Sequence, residues 1–350
     1  MFDEMVKKEA EWLSGEGKNS DIVLSSRVRL ARNITGIPFP AVADTDTRQK
    51  ILSYVKIAID KGGALKKGIF YNSSELSHTD KDFLLERHLV SPEFVKDQNG
   101  FKGIFIGEDE KISIMINEED HLRLQAIRSG LEIKATWEEV NRIDDELSEF
   151  LEFDFDSDFG YLTSCPTNVG AGIRASILIH LPGLVLTREL DKVISRITKM
   201  GLTVRGFYGE GTDVLGNLFQ VSNQTTLGKS EEDIIESLEK ITQQIIEYEG
   251  NSRATLFRDA KEHIEDKIWR AYGILRYACV LTSDEVMNML SALRLGIGMG
   301  TLSGIDLKLI NQLLILTQPA HLQKYYGYQM NADQRDKKRA ELLRERLEKS

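Results

Sequence analysis

The sequence predicts an α+β fold, in which an antiparallel sheet flanked by helices is followed by an all-helical C-terminal domain. From residue 21 to about residue 228, most segments alternate apolar and polar residues, which is typical of strands with one buried face. After residue 229, the apolar residues recur at the spacing of amphipathic helices. Helices interrupt the strands without regular alternation, so we expect helices on one face of the sheet rather than a parallel β/α fold.

The elements follow in chain order. Residues 1–20 predict a short helix because five apolar residues recur at mixed helical spacing, and a turn-rich segment at 15–19 ends it. Strands are predicted at 103–107, 111–117, 174–181, 202–207 and 218–223, and a helix at 187–199. The first two strands form a hairpin, and the last two are antiparallel neighbours around the glycine-rich loop 209–212.

The remaining residues predict helices. Ser230 with Asp233, and Thr282 with Glu285, form capping-box patterns that open two apolar-periodic runs. Further helices are predicted at about 260–280, 305–316 and 332–348. A boundary at 249–252 divides the chain into an N-terminal helical extension (1–20), a central domain (21–250) and a helical C-terminal domain (251–350).

Composition excludes several classes of protein. Among the 350 residues, 41% are hydrophobic and 29% charged, with only 6 Pro, which excludes collagen-like and disordered chains. No stretch reaches the ~20 apolar residues of a membrane span or resembles a signal peptide, so we expect a cytoplasmic protein. Cys165 and Cys279 are too few for a disulfide framework and lack the spacing of a zinc site.

The charge is uneven along the chain. The net charge of -10 argues against direct nucleic-acid binding. Residues 1–250 carry -14 and residues 251–350 carry +4, which indicates two regions with different partners.

Four segments carry the residues of a candidate site. The first, Ser25-Ser26-Arg27-Val28-Arg29, places two arginines on one face of a strand about 6.5 Å apart, a spacing that suits two phosphates. Taken alone, this pair is better explained as two solvated surface arginines. The second, NEEDHLR at 117–123, puts three acids beside Arg123 at a strand end, where they either face solvent or bind a cationic substrate. We expect His121 to orient a neighbour by a hydrogen bond.

The other two segments are glycine-containing loops. CPTNVGAGIR at 165–174 delivers Arg174 to the start of a strand, where the guanidinium and the loop amides can bind an anion. It matches neither a Walker A loop nor a dinucleotide-binding fingerprint. A cysteine such as Cys165, taken by itself, is more often a small buried residue. RGFYGEGT at 205–212 adds Arg205 and Glu210, although a glutamate between glycines is often only a turn residue.

The four segments share one pattern, arginines at strand ends beside acids on loops. Five arginines in one cleft would neutralise a nucleoside triphosphate and a migrating phosphoryl group, and the acids would bind a cationic second substrate. In this order the segments resemble the phosphagen kinases (creatine and arginine kinases), whose catalytic domain carries SSRVR, NEEDHLR, CPTNxGxGxR and RGxxGE. The resemblance covers roughly residues 21–250 and implies a phosphagen kinase or glutamine synthetase-like catalytic domain.

The resemblance also implies the roles of individual residues. The ATP-binding residues would be Ser25, Ser26, Arg27, Val28, Arg29, His88, Arg123, Arg174, Ala175, Ser176, Ile177, Leu178, Arg205, Gly206, Phe207, Tyr208, Gly209 and Glu210. Catalysis would fall to Glu119 and Glu210, which clamp the guanidinium, and to Cys165, a thiolate beside it. Mg²⁺ would be carried on the ATP phosphates rather than in a protein metal site.

Guanidinium chemistry supports this assignment. A guanidinium with a pKa above ~12 is not a nucleophile at pH 7, and deprotonating it in advance would cost about 8 kcal/mol. A carboxylate must therefore take the proton as the N–P bond forms. Glu119 is the candidate general base, and Glu210 would align the planar group bidentately.

The sequence departs from the phosphagen kinases at both ends. Their helical N-terminal domain encloses a small guanidino acid, whereas about 20 residues precede SSRVR here, and they lack a helical C-terminal domain. This layout resembles the bacterial protein-arginine kinases, so we predict an ATP:protein-arginine N-phosphotransferase whose acidic body favours basic acceptors. The alternatives are a kinase of free arginine or another small guanidino substrate, and a catalytically silent phosphoarginine-binding adaptor.

The C-terminal domain carries one more motif of that family. Arg335, Asp336, Arg339 and Ala340 match its RDxxRA motif, which implies an allosteric phosphoarginine pocket with both arginines on one helix face. The same residues also fit a solvated amphipathic helix. The likeness further implies a homodimer, autophosphorylation and a stress response. Its implied partners are a heat-shock repressor and misfolded proteins as substrates, an activator protein and an ATP-dependent protease.

Overall fold

A computed structural model describes residues 2, 4–63, 65–96, 100–207 and 214–348. Within these residues, eight strands form one sheet in the order β2-β3-β4-β5-β1-β8-β10-β9, and every neighbouring pair is antiparallel. A separate two-stranded ribbon pairs β6 with β7. The strands are β1 Val23–Arg32, β2 Gly68–Asn72, β3 Gly103–Gly107, β4 Ile112–Ile116, β5 Leu122–Ser129, β6 Phe155–Asp156, β7 Gly160–Tyr161, β8 Ile173–His180, β9 Leu202–Gly206 and β10 Leu218–Asn223. The antiparallel α+β prediction is confirmed.

The helices carry the expected start signals. Ser230 and Thr282 cap their helices with the predicted capping boxes. The helices are α1 Thr45–Lys61, α2 His78–Glu86, α3 Pro92–Val95, α4 Ile133–Ser148, α5 Pro182–Leu186, α6 Leu190–Lys199, α7 Glu231–Asp259, α8 Lys261–Tyr277, α9 Ser283–Gly298, α10 Leu307–Leu316, α11 Pro319–Tyr326 and α12 Ala332–Glu348. Among the described residues, no helix combines the length and apolar character that a membrane crossing requires.

The helix predicted for residues 1–20 is wrong. The described part of this segment forms two 3₁₀ turns, Met5–Lys7 and Glu11–Leu13. Its apolar residues pack into two different clusters, Phe2 beside α2 and Trp12 beside the C-terminal helices. The apolar spacing therefore reflects an irregular segment that bridges two parts of the molecule, not one helix face. The helix predicted at 187–199 is α6, which begins three residues later at Leu190 and ends at Lys199, and a short helix, α5, precedes it.

The two faces of the sheet have different surroundings. One face is continuously apolar and packs against α1, α4 and α7. The other is covered at both ends, by α2 and α3 over β3 and β4 and by C-terminal helices over β5, β8 and β10. The expectation that helices lie on one face only is therefore wrong, because Ile104, Met115 and Leu178 give the second face apolar ends. An open cleft remains between the two covered ends.

The predicted domain boundary at 249–252 falls inside α7, which continues to Asp259. Glu249 is fully buried here, and its carboxylate accepts hydrogen bonds from the amides of Gly183 and Leu184 at 2.9 Å each. Arg253 binds the same carboxylate at 2.8 Å. The polar residues of this stretch thus cap α5 instead of forming a solvated linker.

A buried ion network joins the sheet to α4 and α7. Arg32, at the end of β1, is 1% exposed and binds Asp144 of α4 at 2.7 Å and Glu231 of α7 at 3.0 Å. The Arg32 guanidinium also lies 3.5 Å from the ring centroid of Tyr161. Each charge in this network is desolvated but paired, which is the condition under which burial of an ion pair is tolerated.

We expect Asp144→Ala to lower the free energy of unfolding by about 3–5 kcal/mol, because it leaves Arg32 buried with an incomplete set of partners. Urea unfolding followed by far-UV circular dichroism measures this loss. Lys192→Ala is the control, since its pair with Glu189 is exposed and should contribute at most about 1 kcal/mol. Equal losses in the two variants would contradict the assigned role of the network.

Candidate active site

The strand register places all five predicted arginines on one face of the sheet. Arg29 of β1 is the register partner of Arg174 of β8, and Arg27 lies two residues before Arg29 on the same face. On the other side of β1, Arg123 of β5 lies two residues from Gln125, the partner of Arg29. Arg205 of β9 faces Gln220 of β10, which faces Leu178 of β8. Four of the five adjacent strands β5-β1-β8-β10-β9 therefore present five guanidinium groups to one side.

These arginines line a cleft of about 610 Å³ on the open part of that face. Its other lining residues come from α2 and the segment that follows it, from β4 and β5, and from β9 and β10 with the residue after β9, and include His88, Gln125, Gly206, Phe207 and Gln220. The sequence prediction that Arg27, Arg29, Arg123, Arg174 and Arg205 share one cleft thus agrees with their placement.

Among the described residues, few counter-charges balance the arginines inside the cleft. Arg27 donates to the amide oxygen of Gln220 at 2.8 Å, and Arg174 donates to Ser222 Oγ at 3.3 Å. The Arg29 Nε is buried and has no hydrogen-bond partner among the described residues. Burial, followed by the neighbouring cations Arg123 and Arg174, lowers the pKa of Arg27 to about 10. Burial also lowers the pKa of Arg29, so this cluster favours an anionic ligand.

His88 forms part of the cleft wall next to Arg27. Its backbone is left-handed, with φ 62°, and its carbonyl accepts a 2.7 Å hydrogen bond from Gln125 Nε2. The ring lies between Trp12 and Phe207, with centroid distances of 5.1 and 4.8 Å. Burial and then Arg27 lower the pKa of His88 to about 3, so the imidazole is neutral. A neutral ring among aromatic neighbours offers a planar, weakly polar surface.

A carboxylate pair lies at the edge of the arginine cluster. Arg123 binds Glu118 at 2.7 Å and Glu119 at 3.3 Å. Glu118 also accepts a 2.6 Å hydrogen bond from Ser91 Oγ, and its side chain is 2% exposed, so it is committed to fixing Arg123. Glu119 is 40% exposed and therefore accessible to a second substrate.

The environment of Glu119 favours proton uptake. Partial burial raises its pKa, and the neighbouring carboxylates of Asp120 and Glu118 raise it further. Arg123 and a hydrogen bond with Cys165 oppose this shift. Cys165 is half-buried, with its Sγ 3.0 Å from Thr167 Oγ1. The structure therefore brings Glu119, Cys165 and Arg123 together, as the sequence predicts.

The next two residues of the NEEDHLR segment are structural. Asp120 accepts hydrogen bonds from Asn33 Nδ2 at 2.8 Å and from the Ser164 amide at 2.7 Å, which ties the cysteine loop to β1. His121 Nδ1 accepts from the Ile34 amide at 2.9 Å, so the proton lies on Nε2, which donates to the Pro38 carbonyl at 2.9 Å. His121 thus orients the backbone, as expected.

Several predicted ATP-binding residues do not present side chains to the arginine cleft. Val28, Ala175 and Ile177 belong to the apolar core on the opposite face, because strand alternation turns them away. Ser26 also faces away, and its Oγ donates to the Gly130 carbonyl at 2.8 Å. Ser25, Ser176 and Leu178 line a small adjoining cavity with His88 and Phe207. Tyr208, Gly209 and Glu210 lie outside the described residues.

The C-terminal motif has one committed and one accessible arginine. Arg339 is 1% exposed and donates to the carbonyls of Thr317 and Leu281 at 2.8 Å each, and to Asp336. Ala340 is fully buried in the core. Arg335 is half-buried and donates to the Met330 carbonyl at 3.0 Å. The two arginines therefore do not form an open pair, since Arg339 joins the starts of α9 and α11 to α12.

The C-terminal domain also contacts the wall of the arginine cleft through Glu86 of α2. Its carboxyl group accepts from the amides of Ala320 and His321 at 2.8 and 2.9 Å, and it shares a 2.7 Å hydrogen bond with His321 Nδ1. Burial raises the pKa of Glu86 to about 8, while the two amides at the start of α11 lower it. Sequence patterns gave no indication of Glu86, because its partners Ala320 and His321 are distant in sequence. Glu118 belongs to the NEEDHLR segment, but its role in fixing Arg123 was not predicted.

No group of three or more histidine, cysteine or acidic side chains within the described part of the chain is arranged to hold a metal ion. The cleft instead offers guanidinium and amide donors, which suit phosphate oxygens.

Comparisons with known proteins agree with this geometry. A family model of the ATP:guanido phosphotransferase C-terminal catalytic domain matches residues 50–252, and a model of the protein-arginine kinase McsB C-terminal domain matches residues 261–350. A protein-arginine kinase of Pelotomaculum thermopropionicum is 47% identical over 96% of this chain and 95% of its own length. One from Halothermothrix orenii is 45% identical over 97% of both chains.

Solved structures show the same fold. A lombricine kinase is 26% identical, with a TM-score of 0.61 over 69% of this chain and 70% of its own. The duplicated taurocyamine kinase of Schistosoma mansoni is 24% identical, with a TM-score of 0.61 over 70% of this chain and 35% of its own, and supports the fold alone. With the two family models and the near full-length relatives, these matches confirm the resemblance: the chain belongs to the protein-arginine kinases of the ATP:guanido phosphotransferase family.

Proposed function

We propose that this protein transfers the γ-phosphoryl group of ATP to the guanidinium of arginine side chains in proteins. One observation carries the proposal: five arginines on one sheet face converge beside a partly exposed glutamate, in a chain whose relatives are named protein-arginine kinases. The arginines supply the donor half of the site, and Glu119 supplies the acceptor half.

The arginines bind and orient the triphosphate. Strand register fixes the backbone positions of these arginines, so the cluster is assembled before the substrate arrives and less reorganisation is needed as charge develops on the transferring group. Mg²⁺ would enter bound to the ATP phosphates and neutralise part of their charge. His88 and Phe207 would lie against the nucleotide on the wall next to Arg27.

Glu119 is the proposed general base. As a guanidinium nitrogen forms the new N–P bond, the bond between the γ-phosphorus and its bridging oxygen breaks, ADP leaves, and the proton of the attacking nitrogen moves to Glu119. Cys165 interacts with Glu119 and would lie beside the same acceptor position. Glu210 is proposed, from the resemblance, as the second carboxylate that aligns the guanidinium.

A transfer assay tests the proposal. With γ-labelled ATP and Mg²⁺, an arginine-containing protein and free arginine are offered side by side, and acid-labile label identifies an N–P bond. We expect label on the protein. Glu119→Gln should lower kcat by roughly 10²–10⁴-fold, as for loss of a general base, while the Kd for ATP stays unchanged. Glu189→Gln, an exposed glutamate on the far side of the domain core, is the matched control.

The outcomes separate the three candidate functions. Label on free arginine alone would mean a kinase of a small guanidino substrate. If neither acceptor is labelled and the protein still binds phosphoarginine in the absence of ATP, the catalytically silent adaptor would be favoured. An unchanged rate in Glu119→Gln would contradict the assignment of Glu119 as the general base.

We also propose that phosphoarginine binds near the start of α12 and regulates the kinase. Arg335 and Asp336 are half-buried and within reach of a ligand, whereas Arg339 holds the adjoining helix ends. The same helix ends lead to the α11 amides that bind Glu86 in the cleft wall. A phosphoryl group bound at the start of α12 would therefore be linked to the ATP site through residues that contact one another.

Two variants of this motif should behave differently. We expect Arg335→Ala to abolish phosphoarginine binding and its effect on the rate, with the melting temperature unchanged. Arg339→Ala should lower stability by about 1–3 kcal/mol, because it leaves buried carbonyls unsatisfied. Calorimetric titration with phosphoarginine and thermal unfolding measure these effects, and wild-type affinity in Arg335→Ala would refute the pocket.

The homodimer, the cytoplasmic location, the heat-shock repressor and misfolded-protein substrates, the activator protein and the ATP-dependent protease stay predictions of the family resemblance.

A further inference from the structure

A second cleft, of about 650 Å³, begins where the arginine cleft ends. The two share the carboxylate pair as their common wall, since Glu118 and Glu119 line the second cleft and bind Arg123 of the first. The cleft is open to solvent along its length and runs beside α1, α3 and the segment before β3. Its remaining lining residues are Pro40, Ala41, Arg48, Glu93, Lys96, Lys102, Asn117 and Ser164.

The charges in this second cleft are separated. Its inner end carries the carboxylates of Glu118 and Glu119, and its outer part carries Arg48, Lys96 and Lys102. Among the described residues that line this outer part, the carboxylate is that of Glu93, which is bound to Lys96 at 2.7 Å. An acceptor arginine at the inner end would therefore have a cationic surface next to the residues that flank it.

Arg48 is the cation of this surface with the most binding capacity left. Its Nη2 donates to the Pro40 carbonyl at 2.7 Å. No carboxylate among the described residues pairs with it, and its Nε has no hydrogen-bond partner among them. A half-buried guanidinium with donors to spare matches a carboxylate, which accepts two parallel hydrogen bonds.

The position of Arg48 relative to the catalytic carboxylates is fixed. Asn117, the residue before Glu118, donates through Nδ2 to the Arg48 carbonyl at 2.8 Å and to the Phe101 carbonyl at 2.9 Å. This side chain joins the start of α1 to the end of β4. Arg48 is thus held beside the strand end that carries Glu119, within the reach of a few residues of extended chain at ~3.3–3.6 Å per residue.

We propose that the second cleft binds the polypeptide around the target arginine and that Arg48 selects acceptors with an aspartate or glutamate within three residues of it. This inference rests on the proposed protein-arginine kinase activity and adds a substrate preference to it. The preference opposes the overall field of the chain, whose net charge of -10 favours basic acceptors. A direct ion pair with Arg48 outweighs this long-range field, because the acidic residue of the acceptor is partly desolvated when it binds Arg48.

Peptide acceptors test this inference. Each peptide contains one arginine in a Gly/Ser background, with a single Asp or a single Lys at one position within three residues of the arginine on either side. We expect the wild-type protein to phosphorylate the best Asp peptide with a kcat/KM about tenfold above its Lys counterpart, as for one charge-assisted hydrogen bond. Arg48→Glu should reverse this order, and Arg48→Gln should abolish the preference, with the KM for ATP unchanged in both.

Lys50→Glu is the matched control. It makes the same change of charge sign two residues further along α1, at an exposed position that does not line the cleft. It should keep the wild-type preference, so a reversal in Lys50→Glu would show that the long-range field, and not Arg48, is responsible. Equal rates for all peptides would overturn the inference and leave the kinase activity intact. No label on any peptide or protein would overturn the kinase activity and the inference with it.

Discussion

The cluster of like charges on one sheet face is the constraint on which the rest of the structure depends. Arg27, Arg29 and Arg174 are held together by strand register, with two neutral acceptors and one buried nitrogen that has no partner among the described residues. Such a cluster is unfavourable in the free protein, and its lowered pKa values express that cost. Rigid surroundings are needed to maintain it.

The surroundings supply that rigidity. The face opposite the arginines is a continuous apolar layer, and the Arg32 network locks the end of β1 to α4 and α7. Glu118 binds Arg123 from the acceptor side, so the same residue that fixes a phosphate-facing guanidinium also forms the wall of the second cleft. The C-terminal helices cover one end of the arginine face and reach its wall through Glu86. The arginine cleft, the second cleft and the C-terminal helices thus share one framework.

Sequence patterns predicted those features of this framework that depend only on residues close together in the chain. Strand alternation placed Arg174 opposite the core, and the capping boxes at Ser230 and Thr282 gave two helix starts to the residue. The helix prediction for residues 1–20 was wrong because their apolar residues pack into two separate clusters and not along one helix face. The polar residues around Gly250 are typical of a linker, whereas Glu249 is buried within α7 and caps α5. The sequence around Arg339 is typical of a solvated helix. The carbonyls that Arg339 binds, those of Leu281 and Thr317, are distant in sequence, so this pattern did not predict its burial.

The most direct measurement of the central claim compares stability and ATP binding in Arg29→Met. If the arginines are held in place for the triphosphate at a cost to the free protein, this variant should unfold at a higher urea concentration than the wild type while its affinity for ATP falls at least about tenfold. ATP should then raise the wild-type unfolding midpoint far more than that of the variant. Loss of stability in the free variant, with ATP affinity unchanged, would contradict the account and make Arg29 a structural residue.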